Sequence, residues 1–404
     1  METSFWNMVH FFEKKRKVKT MKPIHFLHTA DMHLGAKLPA LRSRGEERMS
    51  EKIQTLKRIL TSARSREISL ILIAGDFLEA SEITPSLLRE IRHILAEYPE
   101  IRIFISPGNH DPYTVDSAYA MPGWPENVYI FSGDLERIDL PEFSLSIYGA
   151  GFQETYQRTS FLCDFEKIRR EAEPGWTQIA LLHGQLVSSG QESLYNPMDP
   201  AQFPSELTYV ALGHIHQTYQ KINAYGTSYA YSGCPEGAGF DETGEKGILE
   251  GIIDDTGLHL SFLPTATRLF FREHIDLSDI ETTEEAVQRI RETLGNTDFS
   301  KNYYRLILTG RTSWRDISLL ERELEETMYF LSLRDELLPW QDPYALAQEE
   351  SLKGYFVQNL LRMQEKADPE LQKQIELAMR YGLDAFEGKE NLLGNTAFDP
   401  GKIR

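Results

Sequence analysis

Short apolar runs recur along the first two hundred or so residues, and each run leads directly into a polar loop. The runs and their loops lie within residues 23–35, 70–76, 101–111, 179–184 and 209–216. Short continuous apolar stretches are typical of strands that are buried on both faces. The pattern therefore predicts a set of buried strands, each with polar side chains at its end.

Amphipathic segments separate the first three runs. Residues 46–66 and 85–97 predict two helices. Alternating strands and helices favour an α/β fold, in which ligand-binding groups gather in loops beyond the carboxyl ends of the strands. Residues 223–265 differ, because their short Gly- and Tyr-rich runs predict antiparallel strands that cover one side of this core.

The next part of the chain predicts a small second domain. A β-α-β-α-β order begins at Arg268, with strands near Phe270 and at 304–308 and a helix at 284–294 between them. This order is typical of a compact α+β unit.

The end of the chain predicts two charged helices, at 344–365 and 369–381, and a mobile tail beyond Gly388. Together these patterns divide the chain into four parts: an extension (1–20), a main domain (21–267), a small domain (268–338), and a helical segment with its tail (339–404).

The N-terminal residues and the cysteines bear on the compartment. Residues 1–20 contain a basic run at 14–17 but no continuous apolar core and no small-residue cleavage site, so we expect a dispensable extension or a misassigned start rather than a signal peptide. No apolar run approaches the length of a membrane-spanning helix. Cys163 and Cys234 are too few for a disulfide framework, and neither lies in a thiolate metal motif. We therefore expect a cytoplasmic protein with reduced cysteines and no membrane contact.

The net charge of −18 limits the substrate. Proteins that bind nucleic acid normally neutralise phosphates with a basic surface. An acidic chain predicts either a small substrate or added positive charge, which bound divalent cations and a basic partner protein would supply.

Three of the polar loops carry a residue whose side-chain oxygen could bind a metal ion. Taken singly, each is weak evidence for a metal site. Asp31 and Asp76 follow predicted strands, where an aspartate commonly caps a helix or a turn. Asn109 follows Gly108, where an asparagine also tolerates a left-handed turn. Their recurrence at successive strand ends favours a shared site.

The histidines strengthen that interpretation. His214 and His216 are two residues apart, and on an extended segment both rings would point the same way and serve neighbouring ions. Any single histidine is more often a core or loop residue than a ligand. Only 11 of the 404 residues are histidine, however, and His33, His110 and His183 also follow predicted strands. The whole set therefore predicts a metal site.

Mixed imidazole, carboxylate and amide ligands suit Mn²⁺, Fe or Zn²⁺. Asp76 is our candidate for a carboxylate that bridges two ions, which lie about 3.5–4 Å apart in sites of this kind. Such sites polarise phosphoryl oxygens and generate hydroxide near neutral pH. Hydrolysis of phosphate esters is the expected reaction.

The ordered motifs resemble the five signature blocks of the calcineurin-like metallophosphoesterases: Asp31-x-His33, Gly75-Asp76, Gly108-Asn109-His110-Asp111, His183-Gly184 and Gly213-His214-x-His216. Residues 28–35 are similar to the opening of the SbcD/Mre11 nuclease group. Residues 231–237, 240–242 and 245–247, with 124–133, most resemble its YhaO-like branch of DNA repair exonucleases. The resemblance covers residues 21 to about 265 and implies a layered β-sandwich core flanked by helices, with a small α+β capping domain and C-terminal helices.

The resemblance also implies roles, residue by residue. One ion would be held by Asp31, His33, Asp76 and His216, and the other by Asp76, Asn109, His183 and His214. The ions would be Mn²⁺, with Fe, Zn²⁺ or Mg²⁺ as alternatives. His110 would face the scissile phosphate and stabilise the transition state or protonate the leaving oxygen. The alternative for His110 is a turn histidine bonded to Asp111.

One position departs from the pattern of the group. SbcD/Mre11 nucleases commonly have a histidine three residues after the aspartate of the second block, and here that residue is Glu79. A carboxylate there would orient His110 and raise its basicity. It is equally consistent with a helix-start acid that has no catalytic part.

The partners implied are DNA and an SbcC/Rad50-like (YhaN-like) ATPase, in a complex that would contain a homodimer of this chain. By analogy, residues 268–338 would be the capping domain and 344–384 the docking element. Phe356, Leu360, Leu361 and Met363 form an apolar stripe in this element, but such a stripe more often packs within its own domain.

Three functions from different classes remain open at this point. The first is a Mn²⁺-dependent DNA exonuclease or endonuclease that acts in DNA repair. The second is a phosphodiesterase or phosphatase for a small nucleotide or a phosphoprotein, which the acidic charge favours. The third is a catalytically silent scaffold, which the presence of all seven ligands and His110 disfavours.

Overall fold

The computed structural model describes residues 22–169, 176–222, 226–295, 297–339 and 342–386. The predicted extension at 1–20 and the predicted mobile tail beyond Gly388 lie outside them. The chain divides into two compact units. The first contains the residues up to Arg272 together with 301–303, and the second contains 273–300 and the residues from Tyr304 onward.

The first unit contains twelve strands and three α-helices among its described residues. The strands are β1 (Ile24–Thr29), β2 (Leu70–Ile73), β3 (Arg102–Ile105), β4 (Val128–Ile130), β5 (Glu136–Leu140), β6 (Leu145–Gly149), β7 (Thr177–His183), β8 (Tyr209–Gly213), β9 (Tyr219–Ile222), β10 (Ser228–Tyr231), β11 (Gly247–Asp254) and β12 (Gly257–Pro264). The helices are α1 (Gly45–Ser65), α2 (Pro85–Ala96) and the single turn α3 (Phe165–Ile168).

These strands form two six-stranded mixed sheets. The strand order is β12-β11-β1-β2-β3-β4 in the first sheet and β5-β6-β7-β8-β10-β9 in the second. Strands β1 to β4 are parallel, as are β6, β7, β8 and β10, and the remaining pairings are antiparallel. The predicted α/β sandwich with flanking helices is confirmed.

The placement predicted for residues 223–265 was wrong. The hairpin of β11 and β12 extends the first sheet at the edge of β1, and β10 joins the second sheet beside β8. Leu249 and Ile253 of β11 are buried in the core between the sheets. These strands therefore continue the two layers instead of covering one side of them.

Alternation of side chains along each strand builds the layers. Ile71 and Ile73 pack in the cluster that includes residues of α1 and α2, whereas Leu70 and Leu72 pack between the two sheets. Full burial of one such side chain stabilises the fold by about 1.5–3 kcal/mol. All residues of β2 are apolar and buried, so the first polar side chain of this segment comes after the strand has ended.

The register aligns the strand ends that carry the polar loops. Thr29 pairs with Ile73, and Ile73 pairs with Ile105, in the first sheet. His183 pairs with Gly213 in the second. The loops that follow β1, β2, β3, β7 and β8 therefore emerge at aligned ends of parallel strands, as the sequence predicted.

The second unit follows the predicted β-α-β-α-β order. Its elements, with β13 and β14 beginning in the first unit, are β13 (Phe270–Asp276), α4 (Thr283–Leu294), β14 (Tyr303–Thr309), β15 (Arg311–Thr312), α5 (Ile317–Glu325), β16 (Phe330–Asp335), β17 (Leu338–Pro339), α6 (Pro343–Leu346), α7 (Leu352–Gln364) and α8 (Pro369–Phe386). Strands β13, β14 and β16 form a three-stranded sheet, and β15 pairs with β17.

The helix predicted at 344–365 is two helices, because the chain ends α6 at Leu346 and restarts at Leu352. Ser351 caps the restart, with its hydroxyl accepting a hydrogen bond from the Gly354 N–H at 3.0 Å. Most of the predicted apolar stripe packs within this unit, since Phe356, Leu360 and Leu361 contact the cluster of α6, α7 and α8.

Among the described residues, no helix combines the length and apolar composition that crossing a bilayer requires.

Candidate metal centre

The loops at the strand ends hold polar residues in uncommon backbone conformations. Asp31, His33, Asp76 and His214 have positive φ angles of 54°, 45°, 48° and 108°. A non-glycine residue in a sparsely populated region costs about 1–3 kcal/mol and persists only when its surroundings enforce it. Such outliers cluster at functional sites, so the backbone marks the same edge of the sheets that the motifs do.

Two glycines allow the loops to approach each other. Gly75 has φ +86°, and a Cβ there would lie 2.3 Å from the Nδ1 atom of His183. A Cβ at Gly108 would lie 2.2 Å from the Oδ1 atom of Asp76. Both motif glycines are therefore required by the close packing of polar side chains around Asp76.

Asp76 lies at the centre of the cluster. Its Oδ2 atom is 3.4 Å from the Nε2 atom of His183 and 3.7 Å from that of His33. Its Oδ1 atom accepts a hydrogen bond from the backbone N–H of His110 at 2.9 Å. The Oδ1 atom of Asn109 lies 3.0 Å from the Nε2 atom of His183. One carboxylate thus lies between two imidazoles that come from different sheets.

Asp31 joins the other side of the cluster. Its Oδ1 atom is 4.0 Å from the Nε2 atom of His216, and its carboxylate accepts the backbone N–H of His214 at 3.0 Å. The ring of His216 lies 5.3 Å from that of His33. All seven residues predicted as ligands are therefore within one cluster.

The expected geometry of the histidine pair was wrong. Strand β8 ends at Gly213, and the positive φ of His214 turns the chain there. The ring of His214 faces His183 at 5.2 Å and Tyr195 at 4.8 Å, whereas His216 faces His33. The two rings thus belong to opposite sides of the cluster.

Three of the histidines share one orientation. The Nδ1 atom of His183 lies 2.9 Å from the carbonyl oxygen of Ala74, that of His33 is 3.3 Å from Glu79, and that of His216 is 2.5 Å from Glu242. An Nδ1–H donor leaves Nε2 with its lone pair, which is the usual arrangement of a metal-bound histidine. In the described structure the Nε2 atom of His33 is buried without a hydrogen-bond partner.

The electrostatics of the cluster fit a cation. Burial raises the pKa of Asp31 to about 6, and burial with the neighbouring charge of Asp111 raises that of Asp76 to about 6. Burial also lowers the pKa of His183, and it lowers that of His214 to about 3. Burying a charged carboxylate without a positive partner is costly, and a cation between these groups would offset that cost. The oxygen and nitrogen donors, and the orphaned atom of His33, suit divalent metal ions.

His110 lies at the mouth of the cluster, and its side chain is about half exposed. Its Nδ1 atom is 3.0 Å from the Oε2 atom of Glu79, the same oxygen that His33 contacts. The hydrogen bond with Glu79 raises the pKa of His110 to about 9. Burial opposes ionisation of Glu79, but the hydrogen bonds from His110 and His33 hold its pKa well below the usual range.

The ring of His110 therefore contacts Glu79 and not Asp111, which has another task. The Asp111 carboxylate accepts the backbone N–H groups of Asp76, Leu78 and Gly108 and the hydroxyl of Tyr119. It thereby ties the loop after β2 to the loop after β3.

Sequence reasoning missed two residues that hold histidines of the cluster. Asn196 is fully buried and donates from its Nδ2 atom to the carbonyl oxygen of His183 at 2.7 Å. Glu242 contacts the ring of His216 and lies with Cys234 in a group of potential ligands. Neither cysteine was expected near such a group. Burial raises the pKa of the Cys234 thiol well above its usual range, which favours the neutral thiol.

The two sheets, their flanking helices and the cluster at the strand ends define the metallophosphoesterase class. The family model of calcineurin-like phosphoesterases matches residues 24–218, a segment that contains all seven predicted ligands. Over that segment, the resemblance to calcineurin-like phosphoesterases that the motifs predicted is confirmed.

Curated relatives are nucleases and DNA repair proteins by name. The SbcD component of the nuclease SbcCD from Bacillus subtilis is 25% identical over 255 residues, which are 55% of this chain and 64% of the relative. The DNA double-strand break repair protein Mre11 from Methanopyrus kandleri is 25% identical over 234 residues, which are 54% of this chain and 50% of the relative. The chain thus matches between half and two thirds of the length of these relatives.

Among solved structures, a dimetal phosphatase from Danio rerio is 10% identical, with a TM-score of 0.40, and the match covers 60% of this chain and 100% of the phosphatase.

The similarity to SbcD and Mre11 agrees with the group predicted from the sequence, and the YhaO-like branch within it stays a prediction.

Proposed function

We propose that this chain is a DNA nuclease that hydrolyses phosphodiester bonds with two divalent metal ions, Mn²⁺ being favoured over Fe, Zn²⁺ or Mg²⁺. Hydrolysis of a phosphoester is the chemistry of its family. The observation that carries the proposal is the buried cluster around Asp76, with the unpaired Nε2 atom of His33 inside it and His110 at its mouth.

The ligands follow from the two sides of the cluster. We propose that Asp31, His33, Asp76 and His216 would hold one ion and Asp76, Asn109, His183 and His214 the other, with Asp76 as the ligand that both would share. Ions held there would supply Lewis acidity to a phosphoryl oxygen and lower the pKa of bound water. The imidazoles and carboxylates of the chain would fix this arrangement before substrate arrives, because their orientations are already set by hydrogen bonds.

His110 would act on the substrate directly. Its ring is exposed at the mouth of the cluster, and Glu79 holds Nδ1, so Nε2 is the atom that would contact a phosphate oxygen or protonate the leaving oxygen. Glu79 would also keep His33 in the orientation that a ligand needs. Glu79 is therefore a positioning residue in this proposal, and it takes the place where the SbcD/Mre11 group commonly has a histidine.

DNA is the proposed substrate because the relatives are named as part of a nuclease and as DNA repair proteins. A net charge of −18 opposes binding of a polyanion. We therefore propose that an SbcC/Rad50-like (YhaN-like) ATPase supplies the basic surface, and that a homodimer of this chain would form the core of the complex.

The proposed docking element is residues 344–384, with residues 268–338 as the capping domain. On α7 the stripe residues other than Met363 are engaged within the unit, whereas Leu352, Tyr355 and Met363 are exposed. Exposed apolar side chains that share one face of a helix would suit a partner surface. Co-purification with the SbcC-like ATPase of the same organism should be lost on changing all three to serine and kept in the wild type.

The nuclease proposal is tested by cleavage of end-labelled single- and double-stranded DNA with Mn²⁺. We expect His110→Ala to lower the rate by roughly 10²–10⁴-fold, the usual contribution of a general acid, while its metal content stays unchanged. His93→Ala is the matched control, because His93 is an exposed histidine on the surface of α2. Equal DNA cleavage by wild type and His110→Ala would contradict the role of His110.

A second candidate is a phosphodiesterase for a small nucleotide, which the acidic charge of the chain favours. A cyclic nucleotide and a simple aryl phosphodiester should be assayed beside DNA. Turnover of these substrates by a metal-loaded protein that leaves DNA intact, with or without the ATPase, would replace DNA by a small phosphodiester. Bound metal with no turnover of any substrate would favour a scaffold.

A further inference from the structure

Residues of the segment 232–246 contact both the ring and the backbone of His216. The carbonyl oxygen of His216 accepts hydrogen bonds from the Nζ atom of Lys246 at 3.0 Å and from the backbone N–H of Cys234 at 3.4 Å. The Nδ1 atom of the ring lies 2.5 Å from the Oε1 atom of Glu242. The position of this histidine is therefore set by residues outside the five signature motifs.

Glu242 is itself held in place. Its Oε2 atom accepts the backbone N–H of Ala238 at 2.6 Å and the thiol of Cys234 at 3.6 Å. Only 11% of its side chain is exposed. A carboxylate fixed by two donors on one oxygen presents its other oxygen to His216 in a single direction, which selects the tautomer with the proton on Nδ1.

We propose that Glu242 is a positioning residue that fixes the tautomer and orientation of His216, so that Nε2 is directed at the site shared with Asp31. This inference rests on the metal site of the proposed function and extends it to a residue beyond the family segment at 24–218. Lys246 supports the same ring by holding the backbone. The arrangement parallels the contact of Glu79 with His33 on the other side of the ring pair.

The first test measures metal affinity by calorimetry, with Mn²⁺ titrated into metal-free protein. Replacing a carboxylate that orients a metal-bound histidine typically lowers metal affinity by about 10–100-fold, and we expect this loss for Glu242→Ala. Glu242→Gln keeps an acceptor of the same shape and should lose less, which makes it the conservative rescue. If Glu242→Ala fails to fold, Glu242→Gln is the deciding variant: a measurable loss of Mn²⁺ affinity supports the proposal, and wild-type affinity overturns it.

Glu250 provides a matched control. It is a glutamate of similar burial, 8% exposed, whose Oε1 atom lies 2.5 Å from the Nε2 atom of His25. His25 lies at the opposite end of β1 from the metal cluster. Glu250→Ala and Glu250→Gln should therefore leave metal affinity unchanged.

The second test reads the tautomer without any metal. Long-range ¹H–¹⁵N spectra of histidine-labelled, metal-free protein at alkaline pH should show His216, assigned with a His216→Gln variant, protonated at Nδ1. In Glu242→Ala we expect a mixture of tautomers. An unchanged tautomer in that variant together with unchanged Mn²⁺ affinity would overturn the inference. If the wild type binds no Mn²⁺, the proposed function fails, while the spectra still decide the role of Glu242.

Discussion

Leu72 and Asp76 are four residues apart and both are buried, yet Leu72 has apolar surroundings and Asp76 has polar and charged ones. Leu72 lies in regular strand and packs among apolar side chains between the two sheets. Asp76 has a positive φ angle, and its carboxylate is crowded by two imidazoles and by the charge of Asp111. The strand interior therefore stabilises the fold, whereas the loop beyond it holds Asp76 in an uncommon backbone conformation with a buried carboxylate.

This difference indicates a division of labour. Rigid, unstrained strands bring the loops to fixed positions, and the loops then hold groups that are unfavourable until a cation or substrate joins them. Changes in the strand interior should lower stability and leave the chemistry intact. Changes in the loops should abolish the chemistry and leave stability similar or raise it.

The largest effect on stability is expected in the core between the sheets. Ile147 lies on β6, is fully buried, and is not followed by a predicted ligand. Ile147→Ala should lower the free energy of unfolding by about 2–5 kcal/mol, measured by urea denaturation, because it removes apolar contacts and leaves a cavity. The cleavage rate per folded molecule should not change.

Val115 is the control for this change, since its side chain is 91% exposed. Val115→Ala should alter stability by no more than about 0.5 kcal/mol. A loss of cleavage rate in the Ile147→Ala protein, corrected for the folded fraction, would show that the core and the site are not separable.

The next effect falls on the loops and concerns Glu79. One of its oxygens contacts both His33 and His110, so Glu79→Gln weakens the orientation of a ligand and of the proposed acid together. We expect cleavage or metal affinity to fall by about 10–100-fold without loss of stability. Glu82→Gln, in the same turn but bonded to the exposed Lys37, is the control. Wild-type kinetics in Glu79→Gln would leave Glu79 without a positioning role, and it is not a helix-start acid either, because the next helix begins at Pro85 with Thr84 as its cap.

These same regions show how much of the structure could be predicted from the sequence. The sequence predicted the five strands that precede the motifs (β1, β2, β3, β7 and β8), the helices α1 and α2, and the order of elements in the second unit. These features were predictable because apolar runs and helical periodicity are local signals. The ligand residues could be named because they follow those strands directly. Whether each binds an ion stays a prediction.

The misses depend on contacts that local patterns do not encode. The turn at His214 is enforced by its neighbours, including Asp31, which lies 183 positions earlier in the chain. Glu242 acts 26 positions away from His216, and nothing in its own neighbourhood indicates that partner. The break between α6 and α7 comes from the cap at Ser351, which interrupts a segment of otherwise helical composition.

The smallest effect concerns the stability of the metal-free protein. Asp31→Asn removes a buried negative charge but keeps an acceptor for the N–H of His214. We expect the free energy of unfolding of chelator-treated protein to rise by about 1–2 kcal/mol, since the charge has no cation to offset its burial.

Asp116→Asn, on the exposed loop after β3, should leave stability within about 0.5 kcal/mol. Added Mn²⁺ should stabilise the wild type by about 2.7 kcal/mol at a hundredfold excess over the dissociation constant, and Asp31→Asn by less. A metal-free Asp31→Asn protein that is clearly less stable than wild type would mean that the carboxylate is structural.

The most direct test is the number of Mn²⁺ ions bound by metal-free wild type and by Asp76→Ala, measured by titration calorimetry and elemental analysis on protein that retains native circular dichroism. We predict about two ions per wild-type chain and the loss of both, together with hydrolysis of phosphodiesters, in the variant. Two ions bound with wild-type affinity and undiminished hydrolysis in Asp76→Ala would contradict the central position of Asp76 and the two-metal site built around it.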